Sequence, residues 1–112
     1  GRIYSINNTH AMFLFKRNID REEDEHGTVE NMLIKSFEEL EFCLKQDTST
    51  GYHVITYAKH AKRFHARYNN DKSESFMQKA IEFVNKELSN QKYKPYKVFK
   101  LLKNLQREFV MK

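Results

Sequence analysis

From residue 29 to residue 109, apolar side chains recur every three or four positions, and this spacing constrains the chain more than anything else in it. Val29, Leu33, Phe37, Leu40 and Leu44 make one stripe, flanked by Met32 and Cys43. Val54, Tyr57, Ala58, Ala61, Phe64 and Tyr68 make a second. Met77, Ala80 or Ile81, Val84 and Leu88 make a third, widened by Phe76 and Phe83. Val98, Leu101, Leu102, Leu105 and Phe109 make a fourth. A helix that buries one face has this period. Only three glycines and one proline interrupt the 112 residues, which favours long helices over a many-stranded sheet.

The spacing predicts helices over about 29–45, 51–69, 74–89 and 96–110. Residues 52–57 have a rival reading as a strand, because Tyr, Val, Ile and Thr favour sheets. The stripe runs unbroken from Val54 to Tyr68, so helix is preferred throughout. Thr28 is a plausible N-cap for the first helix. Ser75 with Gln78 forms a possible capping box for the third, and Asp71 with Glu74 a competing one. Residues 46–50 and 90–95 read as polar connectors, with Pro95 tolerated at a helix's first turn.

The N-terminal part reads differently. Residues 2–6 alternate weakly, Asn7-Asn8-Thr9-His10 resembles a turn, and Ala11 to Phe15 is a short apolar run. Residues 1–15 are therefore expected to form an extended arm or β-hairpin. Residues 16–28, with the run Glu22-Glu23-Asp24-Glu25, read as an acidic loop. The expected architecture is a mainly α, single domain: a bundle of about four helices over 29–112 with the arm packed across it.

Charge is placed unevenly. The formal net charge is +5, yet residues 1–47 hold six basic and ten acidic side chains, net −4. Residues 48–112 hold fourteen basic and five acidic ones, net +9. Lys59, Arg63 and Arg67 repeat every four residues on one side of the second predicted helix, widened by Lys62 and His60. Lys97, Lys100, Lys103 (or Asn104) and Arg107 line the fourth helix opposite its apolar stripe. Lys92 and Lys94 lead into it, interleaved with Tyr93 and Tyr96. Such cations can displace phosphate counterions, and exposed rings can stack on bases or sugars.

The same pattern has plainer explanations, since lysine-rich outer faces often serve solubility alone. An acidic protein surface or anionic lipid headgroups would also suit it. A helix-turn-helix fits poorly. Its second helix should enter the groove, but the third predicted helix is nearly neutral on its outer face, with Lys79, Glu82, Lys86 and Glu87. Single-strand or shape-driven binding is more natural than sequence readout.

Other chemistry finds little purchase. His53, His60 and His65 with Cys43 could supply four zinc ligands only through packing that the spacing does not encode. No metal site or cofactor is expected. His60 or His65 could act as a general base, but no nucleophile or orienting group stands nearby in sequence. Cys43 is the only cysteine and reads as a small core residue, which fits a reducing compartment. No apolar run is long enough to span a bilayer, and no secretory signal stands at the start, so an intracellular location (cytoplasm or nucleus) is expected.

The expected function is thus noncatalytic nucleic-acid binding, with Lys59, Lys62, Arg63, Arg67, Lys97, Lys100, Lys103 and Arg107 on phosphates and Tyr93 or Tyr96 on sugar or base. The alternative is a protein-interaction adaptor or homodimerising helical domain that uses apolar surface from the many Phe residues.

Overall fold

A computed structural model of the chain describes residues 2–45, 51–90 and 96–110, with side chains from Thr9 to Phe109 within them. It holds five α-helices: α1 Arg2–Asn18, α2 Thr28–Leu44, α3 Gly51–Tyr68, α4 Asp71–Ser89 and α5 Tyr96–Val110. There is no β-strand among the described residues. The stripes from residue 29 onward coincide with α2 to α5. The expected arm or hairpin does not exist, because residues 2–18 are helical. The connectors at 46–50 and 91–95 lie outside the described residues.

The reason lies in where α1 buries its side chains. Ala11, Leu14, Phe15 and Asn18 are all buried, and they follow one another at three, one and three residues. That is the i, i+3, i+4, i+7 pattern of a helix face. The pattern is hard to see because its last member is polar. Asn18 is tolerated there because its Nδ2 donates to the Leu14 carbonyl at 2.7 Å, while its Oδ1 accepts from Arg21 at 3.1 Å. The polar cluster Asn7 to His10 lies within the helix, with Thr9 and His10 exposed.

The chain forms two compact units, residues 1–49 and 50–112. In the first, α1 and α2 make a helical hairpin. Phe15 meets Phe37 edge to face at 5.7 Å between ring centres, and His10 Nδ1 lies 2.9 Å from a Glu39 carboxylate oxygen. The segment expected as a loop over 16–28 shortens to 19–27, and its acidic run has a structural task. Glu23 accepts hydrogen bonds from the Val29 and Glu30 amides at 2.8 and 2.9 Å. Asp24 accepts from the His26 and Thr28 amides at 3.0 and 2.9 Å. Those bonds, from Thr28 first, hold the Asp24 carboxyl below its ordinary range. The two carboxylates satisfy amides that the helix start leaves open. The cap residue itself is Gly27, not Thr28, and its left-handed backbone (φ 68°) suits a glycine.

In the second unit α3, α4 and α5 pack around Tyr57, Phe64, Val84 and Leu102, all fully buried. Tyr57 meets Phe83 at 5.2 Å and Phe64 meets Phe76 at 5.5 Å, both edge to face, so α4 runs back antiparallel to α3. The turn between them is only Asn69 and Asn70. Asn69 takes a left-handed conformation (φ 45°), which closes α3. Asn70 then caps α4. Its Oδ1 accepts from the Ser73 amide at 2.9 Å, and Ser73 Oγ accepts from the Asn70 amide at 2.8 Å. This reciprocal pair replaces both expected capping boxes and starts α4 three residues early. Gln106 of α5 donates to Asn85 of α4 at 2.7 Å. Gly51 abuts Val98, and Lys62 pairs with Glu108, so α5 runs parallel to α3.

Candidate nucleic-acid interface

The boundary between the two units falls within three residues of the charge step in the sequence. Residues 1–49 carry the net −4 and residues 50–112 the net +9. Within the second unit the charge divides again by helix. α3 has no acidic residue, and α5 has only Glu108. Together they carry eight lysines and arginines. Asp71, Glu74, Glu82 and Glu87 all lie on α4, against three lysines.

The expected contact residues sort as follows. Lys59, Arg63, Lys97, Lys100, Lys103 and Arg107 are exposed; Lys62 and Arg67 are half-buried. Lys62 Nζ donates to Glu108 Oε2, so one expected phosphate contact is spent on joining α3 to α5. The Arg67 guanidinium lies 5.0 Å from the centre of the Tyr68 ring. Lys103 Nζ lies 5.6 Å from the Phe99 ring centre, and Arg107 donates to Asn104 at 3.1 Å. Among the described residues no carboxylate lies within ion-pair distance of Lys59, Lys97 or Lys100. Tyr93, Lys92 and Lys94 lie outside the described residues.

Helical pitch places these groups about the α3–α5 seam. At about 100° per residue, Lys59 lies about 60° around α3 from Lys62, and Lys97 lies about 20° around α5 from Glu108. Both are exposed, so on this reckoning they lie on the solvent side of the Lys62–Glu108 pair. Arg63 and Lys100 come next, one on each side. Tyr52, within the segment that has the rival strand reading, stands in the first turn of α3. It is 52% exposed and shares this outer face of α3. Tyr96 is 79% exposed and opens the outer face of α5. What could have revealed Tyr52 is its spacing: it falls seven residues before Lys59, on the wet side of the Val54–Ala58–Ala61 stripe.

The histidines take other roles. His65 Nδ1 lies 2.7 Å from Ser73 Oγ, and His65 Nε2 lies 3.6 Å from a Glu74 oxygen. The trio has the membership of a nucleophilic site but not its wiring. Ser73 is fully buried, and its hydroxyl donates to the Asn70 carbonyl at 2.8 Å. The Asn70 backbone engages that hydroxyl through both its amide and its carbonyl, which makes it a capping group. The cluster secures the start of α4. Burial pushes the His60 imidazole down to about 4, assisted by the Arg63 guanidinium, and burial alone lowers His53. Cys43 is buried, and burial followed by the Glu39 charge pushes its thiol up, away from the reactive thiolate. Among the described residues no group of three or more His, Cys, Asp or Glu could hold a metal ion. A shallow depression of about 120 Å³ between α4 and α5, lined by Met77, Ile81 and Phe109, has Glu74 as its one titratable group. No described helix is long and apolar enough to cross a membrane.

No protein-family model matches the chain, and comparison with curated proteins and with solved structures finds no significant relative.

Proposed function

We propose that residues 50–112 bind nucleic acid without catalysis, through phosphate contacts along the outer seam of α3 and α5. The observation that carries this reading is the division of charge within the unit. Eight cations stand on two neighbouring parallel helices against a single carboxylate, which is already paired. The unit's other four carboxylates are gathered on α4. A lysine coat that served solubility alone would have no need of that segregation. Lys59, Arg63, Lys97 and Lys100 are the leading phosphate contacts, and Arg67, Lys103 and Arg107 extend the two rows.

The test is a salt titration of binding to a fluorescein-labelled oligonucleotide, followed by anisotropy on the full chain. Affinity should fall with a log–log slope of roughly −0.7 to −0.9 for each phosphate contacted. The Arg63→Glu/Lys100→Glu double variant should bind at least tenfold more weakly and with a shallower slope. Undiminished binding by that variant would sink the proposal.

The adaptor reading draws on the first unit instead. There Phe13 is 60% and Phe42 49% exposed, and Phe42 lies beside Glu38 and Glu39 on α2. Binding at the Phe42 face would survive moderate salt and would respond to Phe42→Ser rather than to Lys100→Glu.

A further inference from the structure

We propose that the preferred ligand is a single strand, with Tyr52 and Tyr96 as the platforms on which its bases stack. This rests on the phosphate-binding reading above and narrows it. Both tyrosines stand in the first turn of a cation-bearing helix, and both are exposed large hydrophobic side chains among the described residues of the second unit. One exposed ring is ordinary on a protein surface. Two that lead parallel rows of cations at the same end of a unit form an arrangement.

The parallel course of α3 and α5 creates it. Gly51 abuts Val98, which fixes the relative height of the two helices. Tyr52 is one residue above that contact and Tyr96 two below. Their levels along the unit therefore differ by about 4.5 Å, less than one helical turn. Lys100 and Lys59 follow them along the two helices. By helical pitch Tyr52 lies about 80° around α3 from Lys62 and Tyr96 about 120° around α5 from Glu108, so the rings flank the seam on either side. A strand whose phosphates track these cations would bring its bases to the rings at the lower end.

Only an unpaired strand offers base faces to a surface ring. In a duplex those faces are stacked inside, leaving phosphates and groove edges. The helix that a duplex-reading hairpin would send into the groove is α4, and α4 holds four of the unit's five carboxylates. Lysines and arginines would serve either ligand, whereas the tyrosines discriminate. Each stacked ring should be worth roughly 5- to 100-fold in affinity.

The experiment compares a labelled 20-nucleotide single strand with the 20-base-pair duplex of the same sequence, on the full chain at one salt concentration. The single strand should bind at least tenfold more tightly. Tyr52→Ala/Tyr96→Ala should remove most of that preference while leaving duplex affinity and the salt slope unchanged, and Tyr52→Phe/Tyr96→Phe should retain it. Equal affinity for strand and duplex, indifferent to the alanine variant, overturns the stacking inference and leaves phosphate binding standing. Failure to bind either probe at low salt overturns both.

Discussion

Gly51 and Val98 are packed so closely that a Cβ on the glycine would overlap a Val98 γ-methyl. In an exposed helix, exchanging glycine for alanine gains about 1 kcal/mol. Here the sign reverses, because the extra carbon meets a short branched side chain with no room to swing aside. Gly51→Ala should destabilise the protein by about 1–3 kcal/mol in urea unfolding. Gly51→Ala/Val98→Ala should lose less than the sum of its two single variants.

Asn70 and Ser73 cap α4 through reciprocal bonds, and Ser73 is fully buried. Removing the acceptor leaves the amide of a buried residue unsatisfied. Asn70→Ala should cost about 1 kcal/mol, and Asn70→Asp should restore most of it. Shifts of the urea midpoint at constant slope would report both. No effect from Asn70→Ala would mean that the turn holds without its cap.

The acidic segment before α2 should matter for stability rather than for binding. Glu23 accepts from two amides at the helix start. Glu23→Ala should destabilise the protein by about 0.5–1 kcal/mol. Its neighbours Glu22 and Glu25 accept none of those described amide bonds, so alanine at either should change stability far less. Thermal unfolding of the three variants would separate them.

Acid should weaken the fold through His60. Its folded pKa is lowered to about 4 from 6.5, so between these values the unfolded chain binds the extra proton. Stability is therefore full above pH 6.5 and is lost as the pH falls toward 4. From pH 7 to pH 5 the loss should be on the order of 2 kcal/mol. His53, also lowered by burial, acts in the same direction. Urea unfolding at the two pH values should show the difference shrink in His60→Gln. An unchanged difference would move the effect to other groups.

Much of the helical part was legible because burial follows spacing. Val29, Leu33, Phe37, Leu40 and Leu44 are all within the core. α1 was not legible, because its buried face ends on Asn18, a polar residue whose acceptability depends on a bond to the backbone one turn earlier. The capping task of Glu23 was hidden for a similar reason. Its partners lie six and seven residues away, beyond any local capping pattern. The cation rows were plain in the sequence. Their relation was not: nothing in the spacing says that α3 and α5 run parallel or that Lys62 is paired to Glu108.

The parallel course of α3 and α5 also gives the second unit a direction. Two helices point one way and α4 points back, so their dipoles do not cancel. A partial positive charge remains at the end where Tyr52 and Tyr96 stand, and a partial negative one at the end of Arg67 and Arg107. The arginines offset the second, and Glu87 of α4, whose carboxylate lies beside Gly51, offsets part of the first. A chain-like ligand laid along this surface would meet two unlike ends, so its 5′-to-3′ and 3′-to-5′ orientations would differ in energy.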